Sequence, residues 1–201
     1  MLKIIGITSG LLSAGASIPY IIDILKRKTK PEKASWFIWT VLGTIAFFSQ
    51  MAKGATNSLW MNGLDTIAVI TIFILSIRYG TGGLVKRDIV ALIFAVFGLI
   101  VWYFTKEAAF ALYIVLAIDL AGSVLTVVKS HEDPGSETLI SWILFGLAGL
   151  LSAISVGEFN FILLIYPIYI CLANWSVVVA MLLGKRKQIL YKDGRYENLP
   201  E

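Results

Sequence analysis

Three carboxylic acids fall inside long apolar runs of this chain: Asp23, Asp65 and Asp119. A charged side chain at mid-bilayer costs at least about 2.5–3.5 kcal/mol on insertion scales, so acids kept there face a cavity or a partner. Asp65 shares a helical face with Ser58 and Asn62, and Asp119 lies one turn before Gly122-Ser123. No Lys or Arg stands at that depth to neutralise either acid. A carboxyl that is alternately dry and wet holds a proton in one state and releases it in the other, which is what a proton-coupled carrier needs. Asn62, Asn174 and Gln50 add amides that both donate and accept hydrogen bonds, as a neutral polar solute requires. Ser58, Gln50, Asn62, Asp65, Asp119 and Asn174 therefore form a candidate substrate-binding set, with Asp65 and Asp119 as proton-coupling candidates. The competing use of each is a helix–helix hydrogen bond, worth about 0.6 kcal/mol on average. Asp23 is different: Arg27 follows four residues later, and an i,i+4 pair with snorkelling to the interface accounts for it.

Other chemistry has little support. Cys171 is the only cysteine and His131 the only histidine, so no intrachain disulfide, Cys/His metal site or triad can be assembled. There is no phosphate-cradling loop and no nucleophile–base pair, so neither an enzyme nor a bound cofactor is expected. No lysine lies within the core of an apolar run, which argues against a retinal Schiff base.

The elements that must position these residues are membrane-spanning helices. The chain has 201 residues, 58% of them hydrophobic and 15% charged, with a mean hydropathy of +0.82. Soluble domains run nearer about 45–50% apolar and about 25% charged. A spanning helix needs about 20 mostly apolar residues. Seven stretches approach or meet that, at roughly 4–25, 34–52, 57–79, 88–105, 108–129, 138–157 and 160–184, leaving no room for a soluble domain. Of the 17 Lys and Arg residues, all but Lys3, Lys53 and Lys106 fall in alternate loops and the C-terminal tail. That bias places the N-terminus outside and the C-terminus in the cytoplasm, so the net charge of +4 speaks for the bilayer rather than nucleic acid. Residues 1–16 carry only Lys3, and the apolar run continues past Ala14-Gly15-Ala16, so the first stretch reads as a retained span rather than a cleaved signal.

The spanning part occurs twice. At an offset of 103 residues Pro31 meets Pro134, Trp39 meets Trp142, Gly43 meets Gly146, Gly54 meets Gly157 and Asn57 meets Asn160, without a gap. Duplicated units with a solute site between them are a common transporter plan. The predicted fold is an all-α membrane protein of seven transmembrane helices: two parallel triple-helix bundles joined by a linker helix, or 3+1+3. Residues 1–82 hold the first repeat, 83–106 the linker helix, 107–184 the second repeat and 185–201 a basic cytoplasmic tail. The run Gly80-Thr81-Gly82-Gly83 marks the end of the first repeat. The six repeat helices carry stripes of small or polar residues at helical spacing, among them Ser9, Ser13, Ala16 and Tyr20 in the first and Ser141, Ala148, Ser152 and Ser155 in the sixth. The linker helix has no polar side chain from Ile89 to Val101, ahead of its Trp102-Tyr103 rim, and is expected to face lipid.

The stretch from Pro19 to Gly43, PYIIDILKRKTKPEKASWFIWTVLG, resembles the PQ-loop repeat: a proline–glutamine pair late in a helix, a basic loop, a serine, then an aromatic apolar helix. The seven-helix layout is similar to that of the SWEET sugar facilitators and their PQ-loop relatives, and Asn62-Gly63 resembles an asparagine–glycine step at the SWEET sugar site. The sequence departs from the pattern at several points. Tyr20 replaces the glutamine, and Gly122-Ser123 stands where the second repeat would carry its proline. Phe47, Phe48, Ser49 and Gln50 occupy the place of a late tryptophan in helix two, and Ile168 follows Pro167 where asparagine would be expected. The resemblance implies alternating access, with Pro19, Tyr20, Pro167, Trp39 and Trp142 as hinge or gate residues; the two tryptophans also suit interfacial anchoring.

The expected function is facilitated movement of a small polar solute, a sugar being favoured. The alternative is proton-coupled export of an amino acid or metabolite through Asp65 and Asp119, since PQ-loop exporters such as the lysosomal cystine transporter are similar in using acids in helices three and five. A third reading is a non-transporting receptor or sorting protein, because the KDEL receptors resemble SWEETs in fold. The partners expected are a small-molecule substrate and the lipid bilayer, with self-association into a homo-oligomer left open.

Overall fold

A computed structural model describes residues 1–28, 31, 33–80, 86–135 and 137–192. Among them are seven α-helices and no strand: α1 (Leu2–Leu25), α2 (Lys33–Ala52), α3 (Leu59–Tyr79), α4 (Lys86–Thr105), α5 (Ala108–Glu132), α6 (Leu139–Val156) and α7 (Phe161–Lys192). Four of them, α1, α3, α6 and α7, are long and apolar enough to cross a membrane by length and composition, as an integral membrane protein requires. The remaining three carry shorter described apolar stretches. Lys30, the run Thr81-Gly82-Gly83 and the tail beyond Lys192, with Arg195, lie outside the described residues.

Packing is carried by small residues that let backbones approach. A Cβ built on Gly10 of α1 would lie 2.5 Å from the Trp60 carbonyl oxygen and 2.9 Å from Leu64 Cδ1 of α3. On α6, one built on Gly149 would lie 2.6 Å from the backbone nitrogen of Cys171 in α7. Buried hydroxyls add to these contacts. Ser9 of α1 donates to the Ala148 carbonyl of α6 (2.8 Å), and Ser152 of α6 donates to the Ser58 carbonyl (3.3 Å).

The order of packing follows the duplication. Helices α1 and α2 both pack their backbones closely on α3, while α5 and α6 both pack closely on α7. Contacts of α1 with α6 and of α2 with α5 join the two sets, and α4 packs against α5 and α2. Among the described side chains of α4 only small residues are deeply buried, Ala95 at 2% exposure among them, and Gly98 sits against Ile114. Ile93, Phe94, Phe97 and Phe104 of α4 face outward. Repeat mates also share local geometry. Gly54, in the α2–α3 turn, has φ of 86° and Gly157, after α6, has φ of 76°, backbone that a glycine adopts without a Cβ penalty. The α1–α2 loop lays Pro31 against Gly80, and the α5–α6 loop lays Pro134 against Gly184.

Three expectations differ from the fold. The Asp23–Arg27 ion pair does not form: α1 ends at Leu25, and Arg27 turns into left-handed backbone with φ of 57°, out of helical register with Asp23. Ser58 is the residue before α3 rather than within it, and its side chain makes no capping bond. Finally, α7 does not stop near 184 but runs to Lys192. The segment KRKQILYK is polar, but most of its residues are good helix formers, so the helix outlasts the apolar run.

Candidate functional site

Six helices, all except α4, line one cavity of about 150 Å³. That volume is of the order that admits a single small ring and falls below the roughly 300–1,000 Å³ of pockets for drug-sized ligands. The lining comes from one part of each helix. In α2 it runs from Trp36 to Gly43 and in α6 from Trp142 to Phe145, both near the helix starts. In α5 it runs from Val115 to Thr126 and in α7 from Tyr166 to Val177. The cavity therefore lies between the middle of the bundle and the end where α2 and α6 begin. The other end, around the Gly54 and Gly157 turns, is closed by the Gly10–Trp60, Ser9–Ala148 and Ser152–Ser58 contacts.

Asp65 of α3 and Asp119 of α5 both line this cavity. Each is oriented by hydroxyls from its surroundings. Ser13 of α1 donates to Asp65 Oδ1 at 2.8 Å. Tyr169 of α7 donates to Asp119 Oδ2 at 2.5 Å, and Ser123, one turn on in α5, donates to the same oxygen at 3.3 Å. The Ser123 and Tyr169 hydroxyls are themselves 3.1 Å apart, closing a three-member network. Asp65 Oδ2 and Asp119 Oδ1 are left without a protein partner among the described residues. Among the described residues no Lys, Arg or His lines the cavity. Asn174 also reaches it, with its Nδ2 bonded to the Ile170 carbonyl at 2.7 Å.

The other predicted substrate residues are elsewhere. Asn62, Ser58 and Gln50 do not line the cavity; all three are buried toward the closed end. Asn62 Oδ1 accepts from Thr66, a cavity residue, at 3.3 Å, so Asn62 stands one turn behind the wall. Among the described residues the amide nitrogens of Asn62 and Gln50 have no hydrogen-bond partner. The hinge and gate candidates divide as well. Trp39 and Trp142, a repeat pair, both form cavity wall, and the Trp142 indole donates to Glu137 at 3.2 Å. Tyr20 stacks on Trp36 (centroids 5.1 Å apart), which meets Trp39 edge-on (5.0 Å, 88°). An aromatic row thus leads from Tyr20 into the cavity. Pro19 and Pro167 lie inside α1 and α7, off the wall.

Polar and aromatic residues that the sequence did not single out also line the cavity, among them Ser17, Trp36, Thr66 and Tyr169. One signal was available, because the 103-residue offset that pairs Trp39 with Trp142 also pairs Thr66 with Tyr169. The two acids are not repeat mates. Asp119 aligns with Ala16 and Asp65 with Ile168, so the wall keeps repeat pairs such as Trp39 and Trp142 while the charges are unpaired between the repeats.

Comparison of the chain with protein-family models, curated proteins and solved structures finds no match.

Proposed function

We propose that the chain is a multi-pass membrane carrier that moves a small polar solute by alternating access. One observation carries this reading: the six helices assigned to the two repeats line one largely apolar cavity that holds two carboxyls, while α4 stays outside it. A solute site between repeated units is what a two-unit carrier needs. In this reading all seven helices span the membrane. α1–α3 and α5–α7 are parallel triple-helix bundles, α4 is the linker, and the assembly is of the PQ-loop and SWEET type. The central position of α3 in one set and α7 in the other supports the two bundles. The N-terminus lies outside and the C-terminus in the cytoplasm, as the basic loops favour. In this reading the cavity lies toward the cytoplasmic, basic-loop end.

By shape a sugar is the leading solute. Aromatic faces from Trp39 and Trp142 with acceptors from Asp65, Asp119 and Asn174 suit a hydroxylated ring, and the volume suits one ring rather than two. A second reading, proton-coupled carriage of an amino acid or metabolite, is favoured by the two carboxyls that face one cavity. Uptake of a mixed sugar and amino-acid panel into proteoliposomes with a trapped pH dye separates the two. Solute flux with a silent dye supports the facilitator. Flux with proton movement, lost in Asp119→Asn, supports the coupled carrier. Absence of flux from folded protein refutes both and favours the receptor reading.

A further inference from the structure

The charge inventory of the cavity bears on the solute more sharply than its size. Two carboxyls line it, and among the described residues one oxygen of each has no hydrogen-bond partner and no basic side chain lines the cavity. At the closed end Lys53 pairs with Glu107, and Lys106 lies over the Tyr103 ring at 4.2 Å. The rest of the wall is largely aromatic and aliphatic, with the indoles of Trp39 and Trp142 on opposite repeats. Aromatic faces attract cations, Trp most strongly, and ammonium–carboxylate hydrogen bonds are roughly twice as strong as neutral ones.

We infer that the cavity selects a small solute bearing at least one protonated amine and no carboxylate. The inference rests on the carrier reading of the same cavity and names its substrate class. The ammonium engages the uncommitted oxygens of Asp65 or Asp119, with an indole against its alkyl or ring carbons. A free amino acid meets two carboxyls with a third and finds no cation to receive it, so like charge rejects it. A neutral sugar fits the volume but leaves the acids without a counter-charge. An aminated sugar satisfies both the ring-sized space and the charge.

The test is equilibrium binding to the purified full chain at neutral pH, with proteoliposome flux measured in parallel. The amines are glucosamine and ethanolamine; the comparators are N-acetylglucosamine, glucose and glycine. Glucosamine and N-acetylglucosamine share a ring and differ in the charge at nitrogen. The expected result is at least tenfold tighter binding of both amines than of any comparator, with that preference lost in Asp65→Asn or Asp119→Asn. If either variant fails to fold, the wild-type contrast between glucosamine and N-acetylglucosamine still decides. Equal or tighter binding of N-acetylglucosamine or glucose overturns the inference and, with flux, leaves the carrier reading standing. Failure of both amines to bind also overturns it. Amine binding without flux of any solute supports the inference while removing the carrier reading.

Discussion

Gly149 offers the most direct test of how closely this bundle is packed. An added Cβ there would lie 2.6 Å from the Cys171 backbone nitrogen, 2.9 Å from its Cα and 3.1 Å from the Pro167 carbonyl oxygen. All three are backbone atoms of α7, so no side chain can swing aside. Reaching an ordinary contact of 3.4 Å requires α6 and α7 to part by about 0.8 Å. A gap of that size forfeits roughly a quarter to a half of each contact it stretches. Inserting a methyl into such a site costs about 1–3 kcal/mol. For a chain of this length each kcal/mol lowers Tm by roughly 2–4 °C, so Gly149→Ala is expected to melt about 2–12 °C below the wild type. Gly15 is the control, since a Cβ there meets nothing within 4 Å. Alanine inside a helix gains about 0.5–1 kcal/mol over glycine, so Gly15→Ala is expected to match or exceed the wild type. Thermal unfolding in one detergent reads both variants. A Gly149→Ala protein as stable as Gly15→Ala would refute the α6–α7 contact.

Other substitutions probe the remaining parts. Gly54→Ala and Gly157→Ala place an L side chain in left-handed backbone, and each should lose about 1–2 kcal/mol in the same assay; Gly157→Ala should lose more, because Leu2 also occupies its Cβ position. Glu107→Gln breaks the exposed Lys53–Glu107 pair and should cost no more than about 1 kcal/mol, an effect that should vanish in 1 M salt; a larger, salt-independent loss would show a role beyond pairing. Tyr169→Phe and Ser123→Ala each remove one donor from Asp119, and a double-mutant cycle on solute affinity should give non-additive losses because the two hydroxyls share one oxygen. Additive losses would show that the hydroxyls act separately.

The helices were legible in the sequence because hydropathy reports which segments avoid water, and the apolar runs match α1 to α6 within a few residues. Hydropathy missed the extension of α7 through Lys185, Arg186 and Lys187, which leaves the apolar run without leaving the helix. Helical periodicity gave faces but not depths. Ser58, Asn62 and Asp65 share a face of the third apolar stretch, yet only Asp65 meets the cavity; Asn62 lies one turn behind it and Ser58 at the turn before α3. Depth depends on which helices converge and where, and that is set by contacts such as Gly10 with Trp60 and Ser9 with Ala148 rather than by any one helix. Trp39 and Trp142 illustrate the same limit. Their place near helix starts suggested anchoring or gate packing, and periodicity alone did not show that both form cavity wall.

The central claim is that one cavity serves both sides of the membrane in turn. Its most direct test is thiol accessibility. Asn174→Cys in a Cys171→Ala background, in oriented vesicles, is treated from each side separately with a membrane-impermeant thiol reagent. The account predicts modification from both sides, slowed by transported solute. Modification from one side only, in protein that binds solute, would contradict alternating access.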